Sequence, residues 1–289
     1  MGWIIAVIVL AVIGFLLDRE IYFYEGTHLG PRLQAWLYDR WSRKYDEGKR
    51  ASQLQDDEML AQPLLEALQT VPEPFILDFA TGTGRLSFAL LNRAEFKGRI
   101  IALDLSQGML EQAALKLRHA SSSRQENTVS PISAKMRQVE FLRHLSLPLP
   151  FPDAAFDAVC ALEVLELFPG MDEPLAELTR VLRPGGILLT SRGTEESGRK
   201  AKVRSRKEFI TLLERSGLEQ VQITKWWKLF NRVIAVKRGN SQPVRLKNLS
   251  DVLKCSSCQS SHWSKEFNLL KCQNCGRELS ITDKEIILN

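Results

Sequence analysis

Three groups of residues have types and spacings suited to chemistry. The first lies in ILDFATGTGR, Ile76 to Arg85, where an apolar run carries Asp78 and is followed by Ala80, Thr81, Gly82 and Gly84. Glycines at such a turn can take positive φ and offer bare backbone to a ligand, and a helix that follows aims its free N–H groups at it. Asp104 closes the next apolar run, 20 residues beyond Gly84, the spacing expected of an acid that accepts both hydroxyls of a ribose. The competing role for Asp104 is helix N-cap, but Ser106 is the better cap for the helix opening at QGML, which leaves the carboxylate for a ligand. A dinucleotide loop would need glycine or alanine where Ser87 stands, and a P-loop would need lysine and a hydroxyl residue where Arg85 and Leu86 stand. No phosphate need be cradled at all.

The second group is four cysteines in two CxxC pairs, Cys255 with Cys258 and Cys272 with Cys275, with thirteen residues between the pairs. Thiolates so spaced can close a tetrahedron around Zn²⁺. Because sulfur fills all four positions, such a site is structural and leaves no place for water or substrate. The alternative, two disulfides, needs an oxidising compartment and strained bridges. The fifth cysteine, Cys160, stands in an apolar run and reads as a small buried hydrophobe. The third group is Glu163 and Glu166 in EVLELF, where an apolar run ends. Each is a candidate catalytic residue that could take a proton from an acceptor or bind a cationic substrate. A loop-orienting role for Glu163 and a solvated helix start for Glu166 are the plainer readings.

The elements that position these residues alternate. FILDFA, RIIALDLS, RQVEFL, FDAVCALEVL and GILLTSR read as strands; GRLSFALLNRAEF, QGMLEQAALKLRHA and PLAELTRVL read as helices between them. KEFITLLERSG is then a helix, followed by the strands EQVQITKW and NRVIAVKR, separated by a short turn, so one of the two is antiparallel. This order predicts an α/β, doubly wound, mostly parallel Rossmann-like sheet of seven strands, with its ligand at the carboxyl ends of the strands. The polar stretch Ser121 to Lys135 reads as an insertion loop, and RGNSQPVRLKN as a linker.

At the level of motifs, LDFATGTGRLSFALL, ALDLSQGMLEQA, LPFPDAAFDAV and ELTRVLRPGGILL resemble, in order, the signatures of the class I S-adenosylmethionine-dependent methyltransferases, closest to the quinone and sterol branch. The resemblance covers about residues 35–240. It implies that Asp78 lies near the methionine end of the cofactor, with Ala80, Thr81, Gly82 and Gly84 against it. It also implies that Asp104 holds the ribose, that Leu105 and Met109 flank the adenine, and that Tyr45 covers the pocket from the N-terminal side. This chain departs from the family at Ala80, where glycine is usual. It departs again after the third strand, where Arg143, His144 and Leu145 stand in place of an adenine-binding acid, and at Glu163 and Glu166, where relatives often carry a histidine. A cationic sulfonium suits the acids beside the loop, and the transfer is an in-line displacement helped mainly by positioning and desolvation.

Residues 1–17 carry no charged side chain, and Tyr22, Phe23 and Tyr24 follow like an interfacial belt. The expectation is a transmembrane anchor rather than a cleaved leader or a buried helix. Arg19, Arg32, Arg40, Arg43, Lys44, Lys49 and Arg50 all follow the apolar run, which places the body on the cytoplasmic side of a single-pass membrane protein. The net charge of +5 suits an anionic membrane or nucleic acid without demanding either. The basic run Arg199 to Lys207 reads as a solvated face, then as a headgroup contact, then as an RNA contact.

The chain thus divides into a transmembrane anchor at 1–20, a juxtamembrane helical segment at 21–60, a methyltransferase domain at 61–240, a linker at 241–253 and a zinc-ribbon-like module at 254–289. The expected activity is methyl transfer from S-adenosylmethionine to a small lipophilic acceptor, with structural zinc in the tail. One alternative is an RNA or protein methyltransferase that docks its partner through the zinc module. A second is an inactive cofactor-fold adaptor.

Overall fold

The computed structural model describes residues 2–122, 138–197, 203–245 and 247–289. The insertion expected at Ser121 to Lys135 lies outside the described residues except for its first two, which close a helix, and the basic run is described only from Val203.

The central strand is β1 (Phe75–Phe79), all five residues buried, as a strand covered on both faces must be. It pairs in parallel with β2 (Arg99–Asp104) and with β4 (Phe156–Ala161). Outside β2 lies β3 (Val139–Arg143), and outside β4 lies β5 (Leu182–Gly193), both parallel to their neighbours. The expected antiparallel strand is β7 (Phe230–Lys237), which runs against both β5 and β6 (Leu218–Lys225). Alternation along β1 sorts the core into two layers. Phe75, Leu77 and Phe79 pack with α6 (Asp172–Val181) and α7 (Arg206–Arg215) through Leu175, Leu178, Phe209 and Leu213. Ile76 faces α3 (Gln62–Ala67), α4 (Arg85–Asn92) and α5 (Gln107–Ser122) through Leu64, Leu86, Leu90 and Leu110.

Two expectations are corrected. The sheet has eleven strands rather than seven. The ribbon strands β8 (Trp263–Glu266), β9 (Leu269–Cys272), β10 (Glu278–Ile281) and β11 (Ile286–Leu288) continue it, with β11 parallel to β3. The reason is the edge: β3 would otherwise present unpaired backbone groups, and β11 satisfies them while burying Ile286 and Ile287 on opposite faces. Sequence spacing predicts the ribbon but not where its last strand docks.

The second correction concerns the N-terminus. The helix α1 (Gly2–Asp18) has 17 residues and ends in a charge. At 1.5 Å per residue it measures about 25 Å, less than the roughly 30 Å of a bilayer core. Among the described residues no helix is long and apolar enough to cross a membrane. What stands there is the apolar helix Gly2–Asp18, whose large side chains are exposed, from Trp3 at 72% to Leu10 at 68% and Phe15 at 64%. A short helical turn, Arg19–Phe23, and the turn Thr27–Leu29 link it to α2 (Pro31–Gln53), which packs on α5.

Candidate active site

At the carboxyl end of β1 the chain turns through left-handed backbone at Ala80 (φ +53°), Gly82 (+57°) and Gly84 (+77°), and α4 begins at Arg85. Gly84 is confined further: a Cβ there would lie 3.0 Å from the Cβ of Ala113 on α5. Ala80 has a side chain in a conformation that costs an L-residue about 1–2 kcal/mol, which is where glycine is usual. Asp78 is buried, and its Oδ2 accepts from Thr81 Oγ1 at 2.6 Å and from Ser87 Oγ at 2.8 Å. Burial raises its pKa against the pull of those two hydroxyls. Ser87, the residue that argues against a dinucleotide, is therefore the partner that holds the loop acid.

Asp104 ends β2 beside this loop. Its Oδ2 accepts from the Gly82 N–H and its Oδ1 from the Ser106 N–H, both at 2.8 Å. Burial pushes its pKa up to about 6, opposed by those backbone donors. Ser106 caps α5 as expected, its Oγ accepting from the Met109 N–H at 3.0 Å. Asp39 on α2 accepts from Ser106 Oγ at 2.6 Å and from the Gly108 N–H at 2.7 Å. These bonds fasten α2 across the mouth of the site.

Beneath α2 lies a cavity of about 370 Å³. Gly82, Asp104 and Glu163 supply its polar side; Leu105 and Met109 stand on its wall with His144 and Leu145. Phe79, Leu147, Val164, Leu167 and Phe168 make an apolar chamber, and Thr27, Pro31 and Tyr38 sit at its α2 side. A recess of about 50 Å³ is lined by Asp78, Thr81, Lys49 and Arg85. It shares Tyr45, Ala80, Gly82, Leu162 and Glu163 with the cavity, so the two are contiguous. Tyr45 lines both spaces. Its phenol pKa is raised well above the ordinary value by burial first and by Glu163 second, which keeps it a hydrogen-bond donor.

The recess is electrically structured. Lys49 Nζ lies 2.5 Å from Glu163 Oε2, and Arg85 Nη1 lies 2.9 Å from Glu163 Oε1. Arg85 also pairs with Asp56 at 2.5 Å and stacks over Trp226, its Cζ 4.5 Å from the ring centroid. The recess thus holds both signs of charge in fixed positions, each paired within the protein. Lys49, Asp56 and Arg85 escape the sequence reading. Arg85 enters it only as evidence against a P-loop, and Lys49 only as a basic residue after the apolar run. The available signal is a cation directly after the glycine loop.

The two glutamates part company. Glu163, at φ +55°, lines both spaces, with each oxygen engaged by a cation. Glu166 is 4% exposed and turns inward, its Oε1 accepting from the Gly193 N–H at 2.8 Å, so the structure points it away from the cavity. Where relatives have an adenine-binding acid, Arg143 Nε donates to the Leu105 carbonyl at 3.2 Å and the His144 N–H donates to the Asp104 carbonyl at 3.0 Å.

Cys255, Cys258, Cys272 and Cys275 converge, their four sulfurs within 4.8 Å of one another. The pairs Cys255–Cys275 and Cys258–Cys272 are 3.6 Å apart. A tetrahedron with Zn–S near 2.3 Å has edges of about 3.8 Å, so these thiols fit zinc. The four cysteines are free, as is buried Cys160 in β4.

Residues 77–190 match the family model described as a methyltransferase domain. A demethylmenaquinone methyltransferase of Thermus thermophilus is 37% identical over 123 residues, 43% of this chain and 48% of that protein. The enzyme of the same name from Thermobifida fusca is 33% identical over 159 residues, 55% of this chain and 60% of that protein. The chain thus spans about half to three-fifths of the length of these curated relatives. Among solved structures, a putative S-adenosyl-L-methionine-dependent methyltransferase of Methanococcus maripaludis superposes with a TM-score of 0.52 at 16% identity, over 70% of this chain and 94% of that one. The CurJ carbon methyltransferase does so with a TM-score of 0.51 at 15% identity, over 65% and 58%. These likenesses show a shared fold. Residues 77–190 thus carry the sequence pattern of a methyltransferase domain, on a fold shared with these solved structures.

Proposed function

We propose that this protein transfers a methyl group from S-adenosylmethionine to a lipophilic, quinone-like acceptor. The observation that carries the reading is the continuity of three environments: a zwitterion recess, a ribose acid and an apolar chamber. The quinone class is suggested by the two demethylmenaquinone methyltransferases that the chain resembles. Lys49 and Arg85 would hold the methionine carboxylate, Glu163 and Asp78 its ammonium end, and Asp104 the ribose hydroxyls. Leu105 and Met109 would sandwich the adenine, with Tyr45 as cover.

The bound cofactor supplies a methyl carbon on a positively charged sulfur, a leaving group that needs no further activation. The protein's part is to align an acceptor in the apolar chamber and to exclude water there. Glu163, placed between two cations, is assigned to charge positioning at the cofactor, and no proton transfer is assigned to Glu166. The four cysteines are assigned to structural zinc. The exposed helix α1 is assigned to insertion in the membrane holding the acceptor, with the body on the cytoplasmic side. Thr27 and Pro31 follow α1 closely and line the cavity, which supports a mouth near the lipid.

Calorimetry with zinc-loaded protein should show S-adenosylmethionine binding. Radiolabelled methyl should then pass to a ring carbon of a demethylated quinol in vesicles, with S-adenosylhomocysteine leaving and the displaced ring proton passing to solvent. Absence of binding at millimolar cofactor would overturn the enzyme reading, and transfer to RNA or protein instead of the quinone would overturn the acceptor class.

A further inference from the structure

We propose that the C-terminal ribbon is a built-in clamp on the cofactor pocket, and that metal occupancy of its four cysteines sets the affinity for the cofactor. The proposal rests on the reading of the cavity as an S-adenosylmethionine site.

The connection can be followed bond by bond. Cys272 ends β9, its N–H donates to the Arg277 carbonyl at 2.8 Å, and β10 begins at the next residue, so the second cysteine knuckle is the turn of the β9–β10 hairpin. β10 pairs with β11 through Ser280 and Ile281. β11 pairs in parallel with β3, Ile286 opposite Phe141 and Leu288 opposite Arg143. β3 in turn pairs with β2, Arg143 opposite Asp104. A metal at the knuckles is therefore one hairpin, one short strand and one ladder away from the ribose acid.

Side chains repeat the link. The Asn289 N–H donates to the Arg143 carbonyl at 3.1 Å, and Asn289 Nδ2 lies 3.1 Å from His144 Nδ1. His144 Nε2 lies 3.1 Å from the Pro148 carbonyl. One neutral tautomer satisfies both contacts, with Nε2–H donating and Nδ1 accepting. His144, Leu145, Ser146 and Leu147 line the cavity, so this residue of the tail holds the turn that forms its wall. Lys284 pairs with Glu111 on α5 at 2.9 Å, behind the helix that carries Met109. The ribbon is also seated in the core: Leu270, Leu279, Ile281 and Ile287 belong to the same buried cluster as Leu103 and Leu142.

Metal matters here because so small a module holds its hairpin mainly through its ligands. Without metal, β11 would keep its three paired positions on β3 and the Asn289 and Lys284 contacts, with no closed knuckle behind them. The His144–Leu147 wall would loosen, and the cofactor would have to order it on binding.

The test uses the full chain in two forms: wild type before and after zinc chelation, and a variant lacking residues 286–289. Cofactor affinity is read by calorimetry, amide exchange by mass spectrometry and metal by elemental analysis. Chelation should weaken binding at least about fivefold, the lower end of typical site-to-site coupling, and should speed exchange over residues 139–147. The truncated variant should keep one zinc and show the same two changes. Unchanged exchange over 139–147 on chelation and in the truncated variant would overturn the clamp. So would unchanged cofactor affinity in both, provided that zinc-loaded wild type binds. If zinc-loaded wild type binds no cofactor while exchange still responds to metal, the cofactor reading falls and the mechanical clamp stands.

Discussion

The two attachments to the central sheet look alike in sequence, each a module appended at one end of the domain, yet they end in opposite states. The ribbon merges with the body: its strands extend the sheet, Trp263 Nε1 donates to the Leu253 carbonyl at 2.7 Å, and Ile286 is wholly buried. The helix α1 leaves Ile5, Ile8 and Val12 more than half exposed. Its apolar residues surround the axis rather than form a stripe, the pattern of a helix meant for an apolar environment on all sides. The ribbon finds that environment, and an open edge, within this chain. Among the described residues α1 finds no such cover.

The most damaging substitution should be Cys272→Ser, which removes a ligand from the convergent thiols. Loss of the metal and of about 4 kcal/mol or more of stability is expected, read by elemental analysis and thermal melting. A metal-free protein with an unchanged melt would mean that the ribbon is as independent of the body as α1. The opposite result is expected at the other end. Leu10→Lys should weaken vesicle binding by about 1.5–3 kcal/mol, the scale of withdrawing one leucine side chain from an apolar environment, while the melt stays in place. A large fall in melting temperature would show that α1 packs on the body after all.

The centre of the sheet sharpens the contrast, since its residues should move cofactor binding without moving either attachment. Asp104→Ala should cost about 1.5–3 kcal/mol of cofactor affinity, the scale of hydrogen bonds to a charged group. A value within error of wild type would remove the ribose assignment. The same carboxyl makes binding acid-sensitive. Its pKa in the folded protein is raised to about 6, so the hydroxyl-accepting carboxylate is present above that value and lost below it. Affinity should fall about tenfold per pH unit below pH 6. The stability contribution has the reverse sign. Because the folded pKa exceeds the unfolded one, burial of Asp104 favours the fold at acid pH, and that advantage is lost as pH rises through about 6. The smallest effect is expected for Ala80→Gly, which relieves left-handed strain and should raise stability by about 1 kcal/mol. A loss on denaturant unfolding would mean that the methyl group contributes packing that outweighs the strain.

Much of this was legible in the sequence because it is local. The order of the strands from β1 to β7 follows from runs and turn residues. Asp78, Gly82, Gly84 and Asp104 could be singled out because strand tips and glycine turns are short-range facts. Ser106 could be preferred as the cap because capping involves only the next three residues. Other features needed the fold. Lys49 and Arg85 meet at Glu163 although more than a hundred residues separate Lys49 from that acid. No spacing rule joins them, because α2 reaches the loop only by packing on α5. Glu163 and Glu166 look equivalent in EVLELF, and only the turn after β4 sends one into the cavity and the other toward Gly193.

By itself, then, the sequence determined the alternation of elements, the glycine loop with its acids, the pairing of two CxxC motifs into a set that could hold one metal, and the apolar character of the first helix. Each depends on neighbours along the chain or on a ligand set of known chemistry. Only the tertiary structure decided that β11 closes the edge at β3, that a residue of the tail holds the wall beside Asp104, and that α1 lies exposed among the described residues. Those outcomes depend on which unsatisfied backbone edges and apolar surfaces meet in space, and pairing between distant segments is not encoded in the composition of either one.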